Sequence, residues 1–101
     1  MSKSATSQSA GKVLDVLNVL LGHFASGLTP TELAKATKHD PANITRYVGT
    51  LVEKGFAERI PETGRIRPSH RLAQHAVSIM RSLDEAQRRI EESRSRITSH
   101  L

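Results

Sequence analysis

The stretch "DPANITRYVGTLVEKG", residues 40–55, decides the fold because it carries the signs of a helix start, a helix body and a helix end. Asp40 can cap the first amide groups, and Pro41 takes the first helical position, where no N–H donor is required. Gly55 follows as a stop signal. The apolar residues recur at helical spacing, which predicts a buried stripe of Ile44, Tyr47, Val48, Leu51 and Val52.

The residues before this stretch predict a shorter helix that leads into it. In "LTPTELAKAT", Thr29 and Glu32 form a capping box, and Pro30 takes the first helical position between them. Leu33 and Ala36 are expected to face inward, and the polar "KHD" separates the two helices. Two capped helices joined by about three residues predict a helix-turn-helix, with about residues 41–54 as the recognition helix.

Segments on both sides complete the predicted fold. "KVLDVLNVLLGHF", residues 12–24, places apolar residues at helical steps and predicts an amphipathic first helix. After the recognition helix the period becomes that of strands: "FAERI" and "RIRPS" flank "PETG", in which Gly64 is available for positive φ. With this hairpin as a wing at about residues 56–68, we predict a winged helix-turn-helix, mostly α with a small β-hairpin.

Composition limits the size and class of the protein. The 101 residues allow one small domain, and because only 3% of them are aromatic its core must be aliphatic. The absence of cysteine and of a long apolar run favours a cytoplasmic protein with no membrane contact. The net charge of +5 favours a polyanion as partner. We expect a flexible tail at 1–10, the winged domain at 11–71 and a helical dimerisation segment at 72–101.

The last segment carries a seam of apolar residues whose steps of four and three are broken at Ser93. "SLDE" at Ser82 is another capping box, so the segment forms either one helix or two. The seam either packs back on the first helix or pairs with a second chain; in a parallel pair, Arg89 and Arg94 would meet as like charges. We favour a homodimer, with dimerisation residues Leu72, Ala76, Ile79, Leu83, Ala86, Ile90 and Ile97.

The polar face of the recognition helix has residue types that read base edges. The major groove of B-DNA admits one α-helix, whose first two turns lie closest to the bases. Asn43 can pair bidentately with adenine and Arg46 with guanine, while Gly49 would let a DNA backbone come close. A solvated helix face is the alternative explanation. The DNA-binding residues predicted here are Ala42, Asn43, Thr45, Arg46 and Thr50, the last of them for a phosphate.

Arginines of the wing form the second predicted contact with DNA. Arg65 and Arg67 share one face because strand side chains alternate. Together with Arg59 and Arg71 they make a cationic patch suited to phosphates or to a narrow minor groove. A soluble edge guarded against aggregation is the alternative explanation. Two further candidates for DNA contact precede the recognition helix, namely Thr31 and Lys38.

The sequence lacks the features of an enzyme or a metalloprotein. The five histidines are scattered, and His70 and His75 fall on different faces of a helix, which makes them a poor metal pair. There is no glycine-rich phosphate loop, and no nucleophile lies beside a base and an orienting group. We therefore predict no catalytic residues, no metal and no cofactor.

Together these residues resemble, over about residues 12–72, the N-terminal winged helix-turn-helix of the isocitrate-lyase-regulator (IclR) family of bacterial transcription regulators. The most telling pieces are "GLTPTELA", "NITRYVGTLVEKGFAER" and "PETGRIR", and "IMRSLDEAQRRIEE" resembles that family's dimerising linker helices. The resemblance implies that the recognition helix and the wing face DNA. Members of that family continue into a C-terminal effector-binding domain that is not visible here, so no small-molecule effector is expected.

The predicted function is therefore sequence-specific binding of double-stranded DNA by a dimeric transcription regulator on a roughly palindromic operator. The protein would be either a stand-alone short regulator, bacterial or phage-encoded, or a fragment of a longer one. The alternative is a winged-helix protein-interaction module whose C-terminal helix docks a protein partner, because fold alone does not settle function.

Overall fold

A computed structural model of the protein describes residues 5–99. The architecture is mostly helical, with three short helices, a two-stranded antiparallel wing and one long C-terminal helix, which confirms the predicted fold class. The ends of the predicted tail and of the predicted dimerisation segment, residues 1–4 and 100–101, lie outside the described residues. The elements in chain order are α1 (Gln8–Leu21), α2 (Pro30–Thr37), α3 (Pro41–Glu53), β1 (Ala57–Arg59), β2 (Ile66–Pro68) and α4 (His70–Thr98).

Helix α1 begins earlier than its apolar pattern suggests. The side chain of Ser7 accepts a hydrogen bond from the amide of Ala10 over 3.2 Å and so caps the helix, which starts at Gln8. The segment predicted as a flexible tail at 1–10 is therefore helical from Gln8 onward. The helix ends at Leu21, three residues before the end that the sequence predicts.

The caps of the helix-turn-helix are those that the sequence predicts. The hydroxyl of Thr29 accepts a hydrogen bond from the amide of Glu32, and the Glu32 carboxylate accepts one from the amide of Thr29. The carboxylate of Asp40 accepts one from the amide of Ala42 over 3.0 Å. Between the two helices, Lys38 adopts the left-handed conformation with φ 61° and so ends α2 before the cap of α3 at Asp40.

The core is aliphatic and lies where α1, α2, α3 and the wing meet. The predicted stripe of α3 is buried except at Val52, which is 36% exposed. Val52 lies eight residues after Ile44, and at 3.6 residues per turn it is rotated about 80° from Ile44, beyond the edge of the stripe. Ala36 of α2, also predicted to face inward, is exposed, so that prediction is wrong. The buried apolar residues are Val16, Leu20, Leu28, Leu33, Ile44, Tyr47, Val48, Leu51, Ala57 and Ile66.

The wing is a short hairpin attached to the helical layer by backbone hydrogen bonds. Strands β1 and β2 are antiparallel, with Glu58 opposite Arg67, and Gly64 has φ 73° in the turn between them. Leu28 and Ile66 exchange two amide–carbonyl hydrogen bonds of 2.8 Å. A Cβ at Gly27 would lie only 2.6 Å from the Ile66 carbonyl oxygen, so this approach of the two backbones requires glycine.

The C-terminal segment is one helix, which decides between the two arrangements left open by the sequence. Helix α4 runs through Ser82 without a break, and its side-chain cap is instead Ser69, whose hydroxyl accepts from the amide of Leu72. None of its 29 residues is buried within the single chain. No helix among residues 5–99 is long and apolar enough to cross a membrane.

Candidate nucleic-acid interface

The exposed face of α3 is built by the same periodicity that buries its stripe. Because Ile44, Tyr47, Val48 and Leu51 point into the core, the side chains on the opposite face point to solvent. Five of these positions are exposed, and Asn43 at their edge is half-buried. We call this the α3 face; its exposed residues are Ala42, Thr45, Arg46, Gly49 and Thr50.

Arg46 lies at the centre of the α3 face and is only weakly held. Its Nη1 donates a hydrogen bond of 3.3 Å to Oδ1 of Asn43, and the hydroxyl of Thr50 donates to the Arg46 carbonyl oxygen over 3.1 Å. No ion pair to Arg46 occurs among residues 5–99. The guanidinium therefore has four of its five N–H groups available for a base edge or a phosphate.

A groove beside Arg46 extends the α3 face to the first turn of α1. The groove has a volume of about 280 Å³, and Arg46, Tyr47 and Thr50 line one wall. The other wall consists of Ser9, Ala10 and Val13. Sequence reasoning missed this part of the site because it assigned Ser9 and Ala10 to a flexible tail. The capping serine at position 7 was the pattern that indicated a helix there.

The glycine within α3 faces open space. Apart from the adjacent backbone of its own helix, a Cβ at Gly49 would meet no described atom within 4 Å, so the packing of the domain does not require a glycine at this position. Glycine in a helix interior costs roughly 0.5–1 kcal/mol relative to alanine. The chain thus carries a destabilising residue on its exposed face, where the missing side chain admits close approach by another molecule.

The wing arginine Arg65 is held by the helix-turn-helix. Its Nη2 lies 3.0 Å from Oε1 of Glu32 and donates to the Gly27 carbonyl oxygen over 3.2 Å. Its Nε donates to the carbonyl oxygen of Ser26 over 3.0 Å. These bonds connect the wing to the N-terminal cap of α2, and Arg65 is not the free cation that its strand position suggests.

Arg67 is also held within the chain. Its Nε donates a hydrogen bond of 3.0 Å to Oε2 of Glu58, and its Nη2 forms an ion pair with the same oxygen at 2.8 Å. It also lies over the ring of Phe24, 5.9 Å from the centroid. Glu58 further accepts from the amide of His70 at the start of α4, over 3.0 Å. Arg65 and Arg67 thus each have a carboxylate partner, so two of the four arginines in the cationic patch predicted from the sequence are neutralised.

These contacts shift the acidity of the two carboxylates. The hydrogen bond from the Thr29 amide, with the positive charge of Arg65 behind it, lowers the pKa of Glu32 from 4.5. The hydrogen bond from the His70 amide, followed by that from Arg67, lowers the pKa of Glu58 from 4.5. Both carboxylates therefore stay ionised, and able to pair with Arg65 and Arg67, to a lower pH than an ordinary glutamate would.

The other predicted DNA-contact residues keep exposed side chains. Thr31 lies in the first turn of α2, Lys38 in the turn, Arg59 at the end of β1 and Arg71 in the first turn of α4. The guanidinium of Arg71 lies against the backbone of Gly55, where a Cβ would be 2.9 Å from its Nη1. Arg59 has no ion-pair partner within residues 5–99, which makes it the exposed cation of the wing.

The predicted dimerisation residues lie along one side of α4. Leu72 is half-buried, whereas Ile79, Leu83, Ile90 and Ile97 are each at least 58% exposed. Only the first turns of α4 lie near α1, so the rest of the seam does not pack back on it. At these first turns, an apolar groove of about 210 Å³ runs between the end of α1 and α4, lined by Leu21, Phe24, Pro68, Leu72, Ala73, His75, Ala76 and Ile79.

A capped recognition helix with a free polar face, next to a two-stranded wing, defines a winged helix-turn-helix protein. Residues 10–66, more than half of the chain, match the sequence model of the MarR family, and the chain belongs to this family. Membership indicates a domain of DNA-binding transcription regulators, which is typically non-enzymatic. A comparison with curated protein sequences finds no match.

Among solved structures, the crystal structure of HmgR from Pseudomonas aeruginosa is similar to this chain, with a TM-score of 0.63 and 19% sequence identity. The match covers 71% of this chain and 29% of HmgR, so the chain spans less than a third of that protein. At this identity the likeness concerns the fold alone. The resemblance to the IclR family is not supported, since the matching family is MarR. The quoted pieces are caps, a turn and a hairpin that any winged helix-turn-helix requires, and they do not distinguish the families.

Proposed function

We propose that the protein binds double-stranded DNA sequence-specifically, with α3 in the major groove. The observation that carries this proposal is the α3 face itself, where a weakly held arginine lies between a threonine and an open glycine. An α-helix fits the major groove with its first turns nearest the bases, and those turns hold Asn43, Thr45 and Arg46. Arg46 and Asn43 would read guanine and adenine edges, respectively.

In this proposal the wing lies over the flanking backbone or minor groove, with Arg59 as its leading cation. Arg65 and Arg67 are each at least two thirds shielded and ion-paired, so they would mainly set the position of the wing. Arg71, Lys38 and Thr31, whose side chains are exposed, would contact phosphates. Such contacts release counterions and make the affinity depend on salt.

The regulator would act as a homodimer in a bacterial cytoplasm, with the exposed seam of α4 as the interface. A two-fold symmetric protein calls for a roughly palindromic operator, whose half-sites are spaced by one helical turn of ~10 bp or by a multiple of it. Two winged domains on one operator combine their contacts, which a domain of this size needs for specific affinity.

The experiment that tests the proposal is binding to a pool of random duplexes across a salt titration. Duplexes retained at ~0.15 M salt, where non-specific binding is weak, are then sequenced. Enrichment of a two-fold-symmetric motif would support the whole proposal. Salt-sensitive binding without enrichment would reduce it to a backbone contact, and no binding at any salt would refute it.

A second candidate is a protein-interaction module, which is favoured by the exposed apolar side chains of α4. In that case α4 would dock a protein partner and the α3 face would be a solvated surface. Ending the chain after Leu72 would then abolish the interaction, while Arg46→Ala would be silent. If the protein binds DNA, Arg46→Ala is damaging and the truncation weakens binding through loss of the dimer.

A further inference from the structure

The exposed side of α4 continues into the apolar groove at its start. Groove and seam share Leu72, Ala76 and Ile79, and the groove adds Leu21 at the end of α1 and Phe24 in the turn that follows. Together they form one apolar surface that runs from the winged domain to the end of α4. A surface of this length, uncovered in the single chain, marks a site for another polypeptide.

We propose that a second copy of the chain covers this surface with its α4 running antiparallel to the first, about a two-fold axis between Asp84 and Glu85. The inference deepens the proposed function, because it rests on the dimer and specifies how the two chains meet. The end of the partner's α4, with its Ile97, would then lie in the apolar groove.

The sizes of the side chains favour this orientation. About this axis every seam residue meets another seam position, and the Ser93 that interrupts the apolar pattern faces a small alanine. In a parallel pair each residue would meet its own copy, so that two serines would face each other in the interface. The antiparallel layers are Leu72 with Ile97, Ala76 with Ser93, Ile79 with Ile90, and Leu83 with Ala86.

The charges beside the seam also favour the antiparallel orientation. In a parallel coiled coil the seam is flanked by the e and g positions of the heptad, and a g residue of one chain meets the e residue five positions later in the other. Arg89 would therefore face Arg94. These two like charges would meet twice in the dimer. In the antiparallel arrangement Arg89 faces Ser82 and Arg94 faces Ala73, and both repulsions disappear.

The antiparallel arrangement has a consequence for the operator. A helix of 29 residues is about 43 Å long, and the winged domains would lie at its opposite ends. This length already exceeds one turn of DNA, about 34 Å. The two α3 helices would therefore reach half-sites that lie more than one helical turn apart.

Cysteine cross-linking tests the orientation directly, because the chain has no cysteine of its own. Ile79→Cys and Ile90→Cys are prepared separately, mixed, allowed to exchange chains and oxidised. In the antiparallel dimer identical cysteines would be about 16 Å apart along the axis, too far for a disulfide. We expect each variant alone to stay unlinked and the mixture to yield a cross-linked dimer.

The alternatives give different results. Cross-linking of each variant with itself would establish a parallel pair and overturn the antiparallel proposal, while the dimer of the proposed function would stand. An unmodified chain that sediments as a monomer, with and without operator DNA, would overturn both. A dimer in which no cysteine combination cross-links would place the interface elsewhere and would also overturn the inference.

Arg94→Glu gives a second measurement that does not depend on oxidation. In a parallel dimer the change would replace two repulsions by two attractions, and the dimer dissociation constant should fall several-fold. In the antiparallel dimer position 94 faces alanine, and we expect the constant to change by no more than about twofold. Sedimentation equilibrium measures both values, and a several-fold tighter dimer would contradict the inference.

Discussion

Helices α3 and α4 have the same kind of amphipathic pattern but differ in whether the fold buries their apolar side. Both carry an apolar stripe at helical spacing, but the stripe of α3 is buried and that of α4 is exposed. On α3 the core takes up the apolar side, so the polar side is what remains for a ligand. On α4 nothing within the described part of the single chain buries the apolar side, so the apolar side itself is available to a ligand or a partner. Periodicity thus identifies which side of a helix is apolar, whereas only the tertiary fold shows what covers it.

The largest expected effect is on the free energy of unfolding, and it should differ between the buried stripe of α3 and the exposed stripe of α4. Ile44→Ala removes a fully buried side chain and should lower the free energy of unfolding by about 2–5 kcal/mol. Ile90→Ala, on the exposed stripe, should leave unfolding at low protein concentration nearly unchanged and matter only where the dimer forms. Urea denaturation at two protein concentrations measures both. Equal losses for the two variants at high dilution would mean that α4 is covered within the single chain.

The polar sides of the two helices are compared by removing one exposed arginine from each. Arg46→Ala should weaken binding to the selected operator by ~1–3 kcal/mol and relax one base position. Arg81→Ala, on α4, removes the same charge and should change affinity little. Competition binding with operator variants gives both results. An equal loss for all sequences would make Arg46 a phosphate contact, and an equal loss for both variants would indicate a general charge effect.

The wing arginines should differ in whether they stabilise the fold or contact DNA. Because Arg65 bonds to Glu32 and to two carbonyl oxygens, Arg65→Ala should cost about 1 kcal/mol in folding and leave the salt dependence of DNA binding unchanged. Arg59→Ala should leave folding unchanged and reduce the salt slope by about one unit. A flattened slope for Arg65→Ala would restore the phosphate contact predicted from its strand position.

These cases show which features the sequence could predict. The caps at Thr29 and Asp40 involve neighbours two or three residues away, so their residue types alone predict them. The partner of Arg65 lies 33 positions away, and no local pattern indicates that contact. Strand alternation predicts Arg65 and Arg67 on one face, but β2 begins at Ile66, so Arg65 lies just before the strand. The alternation also could not predict the carboxylates of Glu32 and Glu58, which the fold brings to these two arginines.

A smaller effect should distinguish the exposed glycine of α3 from an exposed serine of α4. Gly49→Ala should raise the free energy of unfolding by roughly 0.5–1 kcal/mol, since alanine favours the helix and the added Cβ meets no described atom within 4 Å outside the adjacent helix backbone. It should nevertheless weaken operator binding, because the methyl group stands where DNA approaches. Ser78→Ala on α4 should also stabilise the helix slightly, with no change in binding. Thermal melts measure the stability of both variants, and operator titrations measure their binding. Unchanged binding by Gly49→Ala would leave the glycine without a role at the interface.

The smallest expected effect concerns the junction between the wing and the start of α4. The folded state lowers the pKa of Glu58 below 4.5, so the carboxylate contributes stability above that pH and loses it as the pH falls through the lower, folded value. Unfolding free energies measured between pH 6 and pH 3 should therefore decline in acid. The decline should be shallower in Glu58→Gln, which keeps an acceptor for the His70 amide but cannot be charged. An identical decline in both proteins would show that the charge of Glu58 adds nothing to the junction. The attachment of α4 to the wing would then rest on uncharged contacts, such as the Ser69 hydroxyl that donates to the Gly55 carbonyl oxygen and accepts from the Leu72 amide.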